Sequence, residues 1–133
     1  MINVYLDNSG SMTEMGKDHG SVYIAKSIVD YCDAYGIVMT ITKLDGNTMK
    51  DPVRLVGSVA ENSILLSDGL FLSDAKKMFD IAIAVGIDSD EKSLEKIAGK
   101  TFQSDDIIKA MEYLIFHNNL VHATEKALSD DEW

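Results

Sequence analysis

The sequence predicts an α/β fold with three layers, in which a mostly parallel central sheet lies between helices on both faces. Strand-like segments occur at 2–6, where apolar residues alternate, and at 63–67 and 80–85, which are almost continuously apolar. Segments with apolar residues at helical spacing lie between and after these strands. This order of strands and helices favours a parallel sheet whose strands are joined by helical crossovers.

The first part of the chain contains the first strand, one helix and the second strand. Positions 13–20 are polar and predict a loop after the first strand. We predict that the helix begins at Ser21, which would be its N-cap, and that it ends before Gly36. Its buried face has the spacing i, i+3, i+4 and i+7, at Ala25, Ile28, Val29 and Cys32. The β-branched segment 37–42 predicts the second strand.

The segment 44–62 allows two interpretations. In the first, Asp45 and Gly46 form a hairpin turn and 53–56 forms an antiparallel edge strand. In the second, Asp51 caps a helix in which Pro52 is the first residue. We favour the hairpin, because Gly57 weakens a helix by roughly 1 kcal/mol relative to alanine.

The second part of the chain repeats the alternation of strand and helix. A short connection at 73–78 joins the strands at 63–67 and 80–85. A helix then begins at Ser89 and Asp90 and ends at Gly99, with three residues facing inward, namely Leu94, Ile97 and Ala98. A brief last strand follows at 101–102.

The last predicted helix follows Ser104, Asp105 and Asp106, whose acids in the first turn suit the helix dipole. Its wide apolar stripe comprises Ile107, Ile108, Met111, Leu114 and Ile115. We therefore predict a single domain over 1–118, followed by a C-terminal extension over 119–133 with a weak helical pattern and an acidic tail.

Charge and cysteine content limit the classes of function. The 133 residues include 12 basic and 22 acidic side chains, so the formal net charge is -10. This balance argues against binding to nucleic acid or to an anionic membrane, because no basic stripe is present. A lone cysteine, Cys32, leaves no internal disulfide. The first strand leaves no room for a signal peptide and no apolar run spans a membrane, so we expect a cytoplasmic protein.

Three oxygen-bearing side chains follow the first strand, at Asp7, Ser9 and Ser11, and Gly10 allows a tight bend between them. Carboxyl ends of parallel strands are where such sheets bind ligands. One carboxylate and two hydroxyls make an oxygen-only site that suits a magnesium-like cation. The alternative is that these side chains cap backbone donors of a following helix. We favour the metal site, because Asp68 follows another buried strand.

These motifs resemble those of the von Willebrand factor type A domain family, which carries a metal-ion-dependent adhesion site. The resemblance rests on the pattern Asp-x-Ser-x-Ser at 7–11, on Ile-Leu-Leu-Ser-Asp-Gly at 64–69, and on the strand at 79–88 with its following helix. It implies a compact, intracellular or microbial member with a Rossmann-like fold. It also implies that Ser9 and Ser11 ligate Mg²⁺, or else Mn²⁺ or Ca²⁺, through their hydroxyls.

The resemblance further implies that Asp7 and Asp68 bind the ion directly or hold its waters. The family also uses a threonine from an intervening loop, which is much shorter in this chain. Thr48 is one counterpart of that threonine and the segment 57–58 is another.

The implied function is that of a protein-interaction module, in which the ion's open position takes an Asp or Glu carboxylate of a partner protein. Intracellular members of the family often act beside ATPases, so the partner is expected in an ATPase-containing complex. Two alternatives stay open. One is a metal-dependent hydrolase acting on phosphoesters, since carboxylates at strand ends also build such sites. The other is a structural protein with a vestigial metal loop.

Overall fold

A computed structural model gives the fold of the chain and describes residues 1–7, 12, 16–44, 61–69, 79–86 and 88–117, with Asp18 described by its backbone only. The described part is an α/β fold with five strands and three helices. The strands are β1 (Ile2–Asp7), β2 (Met39–Leu44), β3 (Ser63–Ser67), β4 (Phe79–Ala84) and β5 (Ala98–Phe102). The helices are α1 (Lys17–Ala34), α2 (Glu91–Ile97) and α3 (Ile107–His117).

The five strands form one sheet in the order β2-β1-β3-β4-β5, and every neighbouring pair is parallel. The predicted α/β fold with a parallel central sheet is therefore confirmed. Both interpretations of 44–62, including the antiparallel edge strand, concern positions 45–60, which lie outside the described residues, as do Thr48 and the connection at 73–78. Among the strands described, none is antiparallel to its neighbour.

Helices cover both faces of the sheet, as the sequence predicts. Alternate side chains of the central strands point to opposite faces, because the side-chain period of a strand is two. On one face the strands pack against α1 and α3, in a core that includes Val4, Ile64, Ile81, Ile28 and Met111. On the other face they pack against α2, in a core that includes Tyr5, Leu65, Ala82, Leu94 and Ile97. No helix within the described ranges is long and apolar enough to cross a membrane.

The start of α1 differs from the prediction. The helix begins at Lys17 rather than at Ser21, and Ser21 is buried inside it with 6% exposure. Its N-cap is Gly16, which has a φ of 74° and provides no side-chain cap. A capping residue is the usual sequence signal for a helix start, and here that signal is absent.

The end of α1 confirms the role predicted for Gly36. This glycine has a φ of 66°, in the left-handed region. Its N–H donates to the Asp33 carbonyl at 3.3 Å, and the N–H of Ile37 donates to the Cys32 carbonyl at 2.8 Å. This pair of hydrogen bonds is the Schellman arrangement that satisfies the last carbonyl groups of a helix.

Replacing Gly36 with alanine is expected to lower the free energy of unfolding by about 1–2 kcal/mol, because a left-handed backbone forces Cβ close to a carbonyl oxygen. Chemical denaturation followed by circular dichroism measures the change. Gly36→Asn is the matched control, since asparagine enters this region more readily, and it should cost less. Equal losses in the two variants would contradict the assignment.

Two strands begin at different residues from those predicted. β2 starts at Met39 rather than at position 37, because the N–H of Ile37 closes the end of α1. β5 starts at Ala98, directly after α2, so Gly99 lies within a strand instead of ending the helix. A Cβ on Gly99 would lie 2.9 Å from the Asp80 carbonyl oxygen, so the glycine allows β5 to lie close to β4.

The other predicted elements agree with the structure closely. β3 has the predicted bounds, and β4 lies one residue earlier than predicted. Asp90 caps α2 by accepting a hydrogen bond from the Ser93 N–H at 3.2 Å. α3 begins only after Asp106, so the acids precede its first turn instead of lying in it. The extension at 119–133 lies outside the described residues.

Candidate functional site

The order of the strands reverses between β1 and β3. From β1 the chain first moves outward to β2, and it then returns past β1 to form β3, β4 and β5 in succession. In open α/β sheets, ligands bind at the carboxyl ends of the strands where such a reversal occurs. A ligand site is therefore expected at the carboxyl ends of β1 and β3, where Asp7, Ser67 and Asp68 lie.

Asp7 and Ser67 are joined across the two strands. The parallel register pairs Leu6 with Leu66, so the next residues of the two strands lie side by side. The Ser67 hydroxyl donates to Asp7 Oδ2 at 2.6 Å, and it accepts from the Gly69 N–H at 3.0 Å. Asp7 is 3% exposed and Ser67 is fully buried. A short hydrogen bond to a carboxylate is among the stronger ones in proteins, so Ser67 fixes the position of Asp7.

Asp68 is fully buried and contacts a lysine from the first turn of α1. Lys17 Nζ lies 2.9 Å from Asp68 Oδ2 and 2.8 Å from Asp88 Oδ1. Lys17 is itself only 2% exposed, whereas the side chain of Asp88 is 36% exposed. The lysine thus joins the loop after β3 to the loop after β4 through a buried ion pair.

Gly86 makes room for the buried lysine. It has a φ of 91°, and a Cβ at this position would lie 2.9 Å from Lys17 Cε and 3.1 Å from Asp88 Oδ1. The lysine stem therefore packs directly on the backbone that follows β4, where any side chain would displace it.

Lys17 keeps its charge in this environment. Burial lowers the pKa of the lysine, but hydrogen bonds to Asp88 and Asp68 raise it by more, so its pKa lies above the ordinary value. The ammonium is therefore present at neutral pH. The side chains of Lys17, Asp7, Asp68 and Asp88 together have a formal charge of about -2.

Backbone hydrogen bonds hold the turn after β3. The Asp90 N–H donates to the Asp68 carbonyl at 2.7 Å, and the Val85 N–H donates to the Ser67 carbonyl at 2.9 Å. Gly69 follows with a φ of 73°, and a Cβ there would overlap the Asp90 carbonyl oxygen. Asp90, the N-cap of α2, thus contacts this turn and holds the backbone of Asp68 in place through a hydrogen bond.

The predicted site residues are only partly within the described ranges. Asp7 ends β1 and Asp68 directly follows β3, so both lie at the carboxyl edge of the sheet, as expected for parallel strands. Ser9, Ser11 and Thr48 lie outside the described residues. That all five bind one ion stays a prediction.

Three residues of this edge were not predicted from the sequence, namely Lys17, Ser67 and Asp88. Asp88 had a usable signal, since it is an acid shortly after a third buried strand. Ser67 also had one, because it precedes the predicted ligand Asp68. Lys17 is the first basic residue of the chain, but nothing local predicts that it is buried.

The carboxylate oxygens of Asp7 and Asp68, together with hydroxyl oxygens, are ligands that suit a hard cation. Carboxylate and hydroxyl oxygens are the ligands that magnesium and calcium prefer. Within the described ranges, His, Cys, Asp and Glu side chains alone form no group of three or more that could hold a metal ion. Within those ranges, a site built on Asp7 and Asp68 would therefore take its further ligands from hydroxyl, carbonyl or water oxygens.

Comparison of the chain with protein-family models, with curated proteins and with solved structures found no match.

Proposed function

We propose that the carboxyl edge of β1 and β3 binds a divalent cation, Mg²⁺ or else Mn²⁺ or Ca²⁺, and that this ion holds an Asp or Glu carboxylate of a partner protein. The observation that carries the proposal is the placement of Asp7 and Asp68, two buried acids, at the carboxyl ends of neighbouring strands where the strand order reverses. Desolvating a carboxylate is costly, and contacts with Ser67 and Lys17 offset that cost for Asp7 and Asp68. Their position supports a binding role, because open α/β sheets bind ligands at the reversal of strand order.

Each residue of the edge has a distinct role in this proposal. Asp7 and Asp68 hold the ion directly or through its waters, and hydroxyls of Ser9, Ser11 and Thr48 complete the oxygen shell. Ser67 and Lys17 are positioning residues, because they contact Asp7 and Asp68 respectively.

Charge explains why an ion is needed to bind an acidic partner group. The chain has a formal net charge of -10, so a carboxylate approaching it is repelled. A bound divalent ion offsets the formal charge of about -2 among Lys17 and the three acids, and its vacant position then attracts the partner's carboxylate. The ion supplies the positive charge, and the chain supplies its placement.

The kind of partner follows from the resemblance to the type A domain family. Intracellular members often act beside ATPases, so we place the partner in an ATPase-containing complex of the cytoplasm, with neither nucleic acid nor membrane involved.

Titration calorimetry with Mg²⁺ and Mn²⁺ tests the ion. We expect Asp7→Asn to weaken binding at least about tenfold, because it removes a charged ligand while keeping the side-chain shape. Asp33→Asn, an exposed acid on α1, is the matched control and should leave the affinity unchanged. Circular dichroism checks that each variant is folded. An unchanged affinity in Asp7→Asn, or no binding by the wild type, would refute the proposal.

Copurification from the native host tests the partner. The partner should be retained in millimolar Mg²⁺, released by EDTA, and absent with the Asp7→Asn variant. A partner that stays bound in EDTA, and that binds the wild type and the Asp7→Asn variant equally, would show that the ion does not mediate the contact.

A further inference from the structure

A groove of about 1140 Å³ runs between α1 and the start of α3. Its floor is Val85 and Gly86, at the end of β4. The α1 wall is a stripe at helical spacing, formed by Gly20, Tyr23, Ile24, Ser27 and Tyr31. Pockets for small molecules occupy roughly 300–1,000 Å³, so this groove is large enough for a segment of polypeptide.

Large apolar side chains stand exposed on both walls of the groove. Tyr23 on α1 is 70% exposed, and Ile108 on α3 is 63% exposed. Ile24 and Ile107 lie deeper and continue the apolar surface between them. Apolar side chains that line a groove together, rather than singly, mark interaction sites.

Acidic residues surround this apolar surface. Asp30, Asp105, Asp106 and Glu112 line the groove, and Lys109 is the basic residue among its described lining. Lys109 Nζ is 3.9 Å from Asp106 Oδ1 and its side chain is 77% exposed, so this pair neutralises little. A ligand that matches both the apolar surface and the surrounding acids has an apolar face flanked by positive charges.

We infer that this groove binds an amphipathic, basic helical segment of a partner protein. Its apolar side chains pack on Tyr23 and Ile108, and its Lys or Arg side chains lie near the four acids. Helices that place an apolar face in a groove are a recurrent mode of peptide recognition. A second copy of the chain is a poor occupant, because it also carries a net charge of -10 and would bring acids to acids.

The inference does not rest on the proposed metal site. Gly86 lies between the groove and the proposed metal site, since it lines the groove and is also next to the Lys17 side chain. None of the groove residues named here is a proposed ligand of the ion. Peptide binding in EDTA therefore tests the groove alone.

The probe is a labelled synthetic peptide of about 16 residues, with leucines at i, i+3, i+4 and i+7 and lysines elsewhere. Fluorescence anisotropy measures its Kd for the full chain in EDTA, at an ionic strength of about 0.15 M. We expect the wild type to bind the peptide. Ile108→Ser and Tyr23→Ser should each raise the Kd at least about tenfold, because each removes one good apolar contact. A scrambled peptide of the same composition should also bind at least about tenfold more weakly.

Two control variants separate the groove from general surface effects. Phe116→Ser removes an apolar side chain that is 56% exposed on α3, the helix of Ile108, but lies outside the groove. Glu95→Gln removes an acid on α2, which does not line the groove. Both should leave the Kd within about twofold. The inference is overturned if the scrambled peptide binds equally well, if Tyr23→Ser and Ile108→Ser have no effect, or if the wild type does not bind. Self-association in sedimentation that is lost in Ile108→Ser would also overturn it, in favour of a second copy.

Discussion

Replacing Lys17 with methionine is expected to lower the free energy of unfolding by about 3–5 kcal/mol, because it leaves the charge of Asp68 buried without its ammonium. Asp68 is fully buried, and Lys17 Nζ lies 2.9 Å from it. Asp88 loses the same partner, but its side chain is 36% exposed and water can solvate it. Most of the loss therefore comes from Asp68, and chemical denaturation measures it.

Two variants test whether charge is the cause. Lys26→Met makes the same replacement at an exposed position of α1 and should change stability by less than about 0.5 kcal/mol. The double variant Lys17→Met/Asp68→Asn removes both charges, so it should be more stable than Lys17→Met alone. A Lys17→Met chain as stable as the Lys26→Met chain would show that the buried ion pair does not stabilise the fold.

Alkaline pH provides a further readout of the same ion pair. Burial lowers the pKa of Lys17, but its hydrogen bonds to Asp88 and Asp68 leave it above the ordinary 10.5. The folded chain thus holds this proton more tightly than the unfolded chain does. The stabilisation is fully present below pH 10.5 and is lost as the pH rises through the raised pKa. The difference in stability between the wild type and Lys17→Met should shrink over that interval.

Replacing Gly69 with alanine is expected to cost about 2–5 kcal/mol, from backbone strain and steric overlap together. Its φ is 73°, and an added Cβ would overlap the Asp90 carbonyl oxygen and lie 3.2 Å from Leu94 Cγ. Either the turn after β3 or the start of α2 must move. Since the Gly69 N–H donates to Ser67 Oγ, which donates to Asp7, the shift should also disturb the candidate ion site.

Gly16→Ala separates the two contributions to this loss. Gly16 has a φ of 74°, close to that of Gly69, but a Cβ there meets no atom of the described residues within 4 Å. It should therefore cost only the backbone strain of about 1–2 kcal/mol. Thermal and chemical denaturation of both variants give the comparison. Equal losses would show that Asp90 does not confine the turn, and an unchanged Mg²⁺ affinity in Gly69→Ala would show that the turn does not position the site.

Nearby residues were sufficient to predict strand bounds and helix ends that depend only on the local sequence. The run at β3 is apolar on both faces, so it predicts a buried strand with correct bounds. Gly36 and Asp90 act at helix ends through their own backbone or side chain, and both predictions are confirmed. The error at Gly99 has a cause distant in the chain, because this glycine lies in a strand where β5 approaches Asp80 closely.

The same distinction applies to the candidate site. The sequence indicated that Asp7 and Asp68 follow buried strands, and parallel strands bring their carboxyl ends to one edge. It gave no sign that Lys17 is their neighbour, because the lysine meets Asp68 across 51 residues and Asp88 across 71. Such a pairing depends on where α1 lies over the sheet, which no local pattern encodes.

By itself, the sequence determined the α/β class, the helices on both faces and the acids at the strand ends, because apolar period and residue type report burial and local backbone conformation. Only the tertiary structure decided the order of the strands, the burial of Lys17 and the groove between α1 and α3. Those features arise when segments distant in the chain pack together, and the energy of desolvating a charge then depends on which opposite charge the packing brings within hydrogen-bonding distance.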